Sequence, residues 1–142
     1  MIYLFFSAGP LHLINNFEFI KKKKIKKYKK FIFLNKSNTV NMQIRSTIKT
    51  LNLKNCESIN WSFFKLIRFF QYIFFATKIN RKYSKKKIIF LISDFKNSFF
   101  HFLRIFFQNS KFILIDEGIG TLIAYKKYLS RNIYLPIDHY NK

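Results

Sequence analysis

Ile88-Ile-Phe-Leu-Ile92 is an unbroken apolar run, rich in β-branched side chains, set between Lys85-Lys86-Lys87 and Ser93-Asp94. A strand with one wet face alternates polar and apolar residues, whereas a strand covered on both faces does not alternate. The run therefore predicts an interior strand of a parallel sheet with helices on either side. Downstream, Ser93-Asp94 offers a helix cap. The helix that follows has Asn97, His101, Arg104 and Gln108 on its wet face and Phe95, Phe99, Phe102, Leu103 and Phe106 on its dry one. Phe112-Ile-Leu-Ile115 repeats the buried-strand pattern, a helical stretch is expected at about 122–129, and Ile133-Tyr-Leu135 reads as the start of one more strand.

Upstream, nearly every residue from Ser62 to about Lys82 is apolar, and Lys65, Arg68, Gln71, Lys78 and Lys82, which are not, fall near one stripe and predict a helix buried on most sides. Residues 35–60 are polar, with a helix expected from about Asn38 to Leu51 that places Val40, Ile44 and Ile48 together. The chain opens with the strand-like Ile2-Tyr-Leu-Phe-Phe6 and a turn at Ser7-Ala-Gly9-Pro10. Leu11, Leu13, Ile14, Phe17 and Ile20 then recur at helical spacing. Eight lysines crowd Lys21–Lys30, read as a solvated loop or frayed helix end, before a second strand at Phe31-Ile-Phe-Leu34. Strands alternating with helices specify an α/β fold: a Rossmann-like parallel sheet with flanking helices, one domain over residues 1–142.

Composition narrows the function classes. The chain carries 27 Lys plus Arg against 6 Asp plus Glu, a formal charge of +21, with three glycines and two prolines among its 142 residues. Collagen-like, linker-like and acidic disordered classes are excluded. Phe, Ile, Lys and Asn dominate, and all four have codons written in A and T alone, so base composition accounts for part of the lysine content. Cys56 is the single cysteine, which excludes an intramolecular disulfide and fits a reducing compartment. No basic segment precedes an apolar core as a secretory signal requires, and no stretch reaches the roughly 20 apolar residues of a membrane span. A cytoplasmic protein, peripheral on the inner membrane face, is expected.

Asp116-Glu117-Gly118-Ile119-Gly120-Thr121 directly follows a strand, where open parallel sheets bind ligands. An adjacent carboxylate pair stands out in so basic a chain, and Gly118 and Gly120 permit close backbone approach to a ligand. The same residues also suit a capping turn without chemistry. Ser7, Gly9 and His12 end the first strand and open the first helix, so they are candidates to line the same crevice. Alternatively, they form only a strand-to-helix connection. His101 and His139 are expected to be solvated. No His, Cys and acid cluster has metal-ligand spacing, and there is no phosphate-binding Gly-rich loop with a Lys.

Phe112-Ile-Leu-Ile-Asp-Glu-Gly-Ile-Gly-Thr-Leu122 and Met1-Ile-Tyr-Leu-Phe-Phe-Ser-Ala-Gly-Pro-Leu-His-Leu13 resemble the amino-terminal half of bacterial sialyltransferase-like glycosyltransferases, the polysialyltransferase and lipooligosaccharide sialyltransferase families. These pair an acidic-acidic-Gly motif in the first of two Rossmann-like domains with a His-Pro motif in the second. The first motif matches Asp116-Glu117-Gly118; the second has no match. The resemblance implies one half, the acceptor-side domain, of a two-domain GT-B-type inverting glycosyltransferase, a truncated chain inactive by itself. It further implies Asp116 as general base with Glu117 as the alternative. A CMP-sialic acid donor would be held mainly by the missing carboxy-terminal domain, or by a separate polypeptide, and the acceptor would be a cell-surface glycan of lipooligosaccharide or capsule. No other cofactor is implied.

The lysine clusters admit two further readings. With Tyr28 and Tyr83 interleaved, they offer a phosphate-binding surface for nucleic acid, the rival function of a basic α/β protein. They also attract an anionic membrane surface at about 1 kcal/mol per basic residue, which suits an enzyme with a membrane-bound acceptor. The absence of a helix-turn-helix, RNA-recognition or zinc-finger pattern ranks nucleic acid below the membrane.

Overall fold

The apolar runs pair side by side into one all-parallel sheet. The computed structural model describes residues 1–34, 37–93 and 97–115. Along the chain these form β1 (Ile2–Ser7), α1 (Pro10–Lys22), β2 (Tyr28–Phe33), α2 (Asn38–Thr50), β3 (Cys56–Ile59), α3 (Lys65–Tyr83), β4 (Ile88–Ile92), α4 (Ser98–Phe106) and β5 (Lys111–Leu114). The strand order is β3-β2-β1-β4-β5. The chain winds outward from β1 to β3, then returns through α3 to β4 on the other side of β1. The architecture is a Rossmann-like α/β fold with four flanking helices, and β1 and β4 are the neighbours at which winding reverses.

Alternation along the strands divides the core. Leu4, Phe6, Phe31, Phe33, Phe90 and Ile92 face α3 and α4, while Phe5, Ile32, Ile89 and Leu91 face α1 and α2. The first side is built from aromatic rings. Phe6, fully buried, lies with its ring centroid 5.2 Å from Phe31, 5.8 Å from Phe33, 5.7 Å from Phe99 and 5.6 Å from Phe100. Centroid spacings of this size, in stacked and edge-on geometries, are those at which aromatic pairs attract beyond their buried area.

Local sequence explains the connections. Helices α1 and α2 each end on a left-handed residue, Lys24 (φ 49°) and Asn52 (φ 46°). In each, the amide five residues past a helical carbonyl closes the end, Ile25 to Ile20 at 3.0 Å and Leu53 to Ile48 at 3.0 Å. Ile25 and Leu53 then tuck against the core beneath α1 and α2.

Several sequence expectations are corrected. Strand β2 begins at Tyr28, inside the lysine run, because Tyr28, Lys30 and Ile32 share one face of the strand and the long lysine stem packs there with apolar side chains. Lys30 is buried, and its ammonium donates to the Lys54 carbonyl at 3.3 Å above the Tyr28 ring. Strand β3 was concealed in the polar stretch 35–60. It is a short edge strand, and Glu57 on it is held by Lys29 at 3.3 Å and Lys78 at 3.4 Å. Burial alone would raise the Glu57 carboxyl, but the two lysines outweigh it and leave the group below its ordinary value.

Helix α3 is not buried on most sides. Tyr72, Phe75, Ala76, Ile79 and Tyr83 pack on the sheet, whereas Leu66, Phe70 and Phe74 are exposed. The α4 cap is Asn97, whose side chain accepts from the Phe99 amide at 3.0 Å, and not Ser93. On α1 the buried positions are Leu13, Asn16 and Ile20, with Leu11 and Ile14 exposed. The helix expected at 122–129 and the strand at 133–135 lie outside the described residues.

Candidate functional site

Residues that leave the carboxyl ends of β1 and β4 meet where the winding reverses. Ser7 closes β1 and is buried; Ser93 follows β4 and is buried beside it. The Ser93 hydroxyl donates to the Phe6 carbonyl at 3.3 Å, which ties the ends of the two central strands together. This bond across the switch point, rather than a helix cap, is the role of Ser93. The Ser7 hydroxyl accepts from the Asn16 side-chain amide at 2.8 Å, fastening the end of β1 to the second turn of α1.

The α1 entrance is shaped by Gly9-Pro10. Gly9 is the N-cap with φ −164°, extended backbone that any residue adopts, and no side chain caps the helix. A Cβ built on Gly9 would meet no atom within 4 Å. Turn geometry therefore does not require glycine here, and the space above its Cα is open. Pro10 occupies the first helical position, where its missing N–H would have lacked a partner anyway. His12, half-buried in the first turn, accepts the Ala8 amide on Nδ1 at 3.0 Å. An Nδ1 that accepts places the proton of the neutral ring on Nε2.

Ser7 thus ends β1, and Gly9 and His12 stand at the head of α1, the connection in which the sequence places them. Asp116, Glu117, Gly118 and Gly120 lie outside the described residues. Strand β5, from which that segment continues, is hydrogen-bonded along β4, and the Ile115 amide still reaches the Ile92 carbonyl at 2.8 Å. His101 is half-buried and lines a groove of about 280 Å³ with Arg104, Gln108 and Phe112, on the α4 side of the sheet and away from α1.

Two buried polar residues near the switch point were not read as such in the sequence: Ser93 was expected to cap a helix, and Asn16 was not singled out. The signal for Asn16 was present: with Leu13 and Ile20 it occupies one stripe of α1, so an amide stands where the helix buries apolar side chains. Its Oδ1 is buried without a hydrogen-bond partner among the described residues. A buried carbonyl oxygen in this state attracts a hydroxyl or N–H donor. Asn16 is fully buried, so this oxygen lies inside the packing of α1 on the sheet, and the groups nearer the surface at the head of α1 are Gly9 and His12. Among the described residues no three His, Cys, Asp or Glu side chains cluster as metal ligands. No protein-family model, curated protein or solved structure matches the chain.

Proposed function

We propose that the crevice beyond β1 and β4 receives the acceptor of an inverting glycosyltransferase of sialyltransferase type, with this chain as the acceptor-side domain of a GT-B-type enzyme. The observation that carries the reading is positional. The switch point of the sheet holds Ser7, Asn16 and the uncrowded Gly9, and β5, the strand leading into Asp116-Glu117-Gly118, is the immediate neighbour of β4. The resemblance of the segments 1–13 and 112–122 to bacterial sialyltransferases supplies the reaction.

In that reaction the acceptor hydroxyl oxygen bonds to the anomeric carbon of the CMP-sugar as the bond from that carbon to the nucleotide phosphate breaks. The hydroxyl proton passes to Asp116. Ser7 and the α1 entrance orient the acceptor, and the donor is held by a carboxy-terminal domain in the same or a second polypeptide. The test is transfer from CMP-sialic acid to a lipooligosaccharide or capsular glycan. The chain alone binds the glycan without transferring sugar. The chain joined to a donor domain transfers it and loses about 10²- to 10⁴-fold in turnover on Asp116→Asn, with acceptor binding little changed. Activity retained in both Asp116→Asn and Glu117→Gln rules the mechanism out.

A further inference from the structure

Helix α3 is apolar on two sides, and the sheet uses only one of them. Leu66, Ile67, Phe69, Phe70, Ile73 and Phe74 lie outside the packed stripe, Phe70 at 61% and Phe74 at 74% exposure. An exposed aromatic surface of this extent marks an interaction site rather than ordinary surface scatter. We infer that this side of α3 docks in the plane of an anionic lipid bilayer, its phenylalanines entering the boundary between headgroups and acyl chains.

Charge selects this occupant. No Asp or Glu occurs in α3, while Lys65 and Arg68 stand at its start, Lys78, Arg81 and Lys82 near its end, and Lys85-Lys86-Lys87 just beyond. A second copy would set one +21 chain against another, with no acidic residue on the helix to pair with these cations. An anionic membrane offers negative charge and apolar depth together, the two requirements of an amphipathic interfacial helix. No helix among the described residues is long and apolar enough to cross a membrane, so α3 lies along the surface.

The experiment uses the whole chain with vesicles of phosphatidylcholine, alone or mixed with phosphatidylglycerol. Binding is expected to the mixed vesicles, and Phe70→Glu/Phe74→Glu is expected to weaken it by about tenfold or more, with the far-UV circular dichroism unchanged. Trp61 is the single tryptophan, so a Trp61→Phe/Phe70→Trp variant carries its only indole on the proposed surface. Its emission should shift to the blue on binding and be quenched by brominated acyl chains. Vesicle binding unaltered by Phe70→Glu/Phe74→Glu, or a bound protein whose new indole is not quenched, would mean that the lysines alone hold the lipid and the inference is wrong. A self-associated protein turned monomeric by the same pair of substitutions, with vesicle binding intact, assigns the face to a second copy and also overturns it.

Discussion

Ser7 at the end of β1 and Asn16 in α1 are joined side chain to side chain, the Asn16 amide donating to the Ser7 hydroxyl at 2.8 Å with both residues buried. Ser7→Ala would leave the Asn16 amide nitrogen, like its oxygen, without a partner in the interior. A buried polar group deprived of its partner costs about 1–3 kcal/mol, so the variant should lose that much stability in urea unfolding. Asn16→Leu together with Ser7→Ala removes both polar groups and should recover most of the loss. A double variant as weak as Ser7→Ala would show that the stability resides in the packing shape and not in the hydrogen bond.

Lys30 is buried on β2 opposite Cys56 on β3. Burial lowers the Lys30 ammonium from its ordinary value of 10.5 and raises the Cys56 thiol. A lysine whose folded pKa is depressed binds its proton less well in the folded chain. Its penalty is therefore fully present below the folded pKa and fades as the pH rises toward 10.5. Lys30→Met keeps the stem and removes the charge, and it should stabilise the fold near neutral pH by about 1–3 kcal/mol. Melting curves of the two proteins should converge as the pH climbs to the lysine range. A difference independent of pH would place its origin in packing alone.

Lys24 takes a left-handed conformation, φ 49°, at the end of α1. Side chains with a Cβ pay about 1 kcal/mol there that glycine does not. Lys24→Gly should therefore stabilise the protein by up to about 1 kcal/mol, although glycine ordinarily weakens a chain through its unfolded state. Thermal denaturation of the two proteins side by side provides the check. A lower melting temperature for Lys24→Gly would show that the lysine side chain, and not the backbone angle, governs this end.

Position by position, the sequence was most informative where burial is symmetric. Ile88–Ile92 is apolar throughout and buried at every position, as a strand covered on both faces should be, whereas the equally apolar Phe112–Ile115 is only half-buried. It was least informative at edges and on long stems. Strand β3 pairs through only Cys56–Ile59, no strand among the described residues joins its other side, and its polar residues look like loop. Lys30 looks solvated because a charged head hides how apolar its four-carbon stem is. The position of Ser7, Gly9 and His12 between the first strand and the first helix was legible from the turn residues Gly9-Pro10. The apolar stripe of α1 marked Asn16 without disclosing its partner Ser7, and Ser93 read only as a helix cap because its partner, the Phe6 carbonyl, lies 87 residues away along the chain.

Local patterning by itself determined the alternation of strands and helices and the parallel sheet, since hydrophobic period and helix punctuation act over a few neighbouring residues. Strand order was decided only in three dimensions. The return of α3 to the far side of β1 creates the switch point, and no local pattern encodes which neighbour β4 will take. The same crossing decided the fate of α3. Its sequence is apolar nearly all round, as a buried helix would be, but the sheet covers one side of it and leaves Phe70 and Phe74 outside. Burial is a property of what lies opposite a residue, and only tertiary contact sets that.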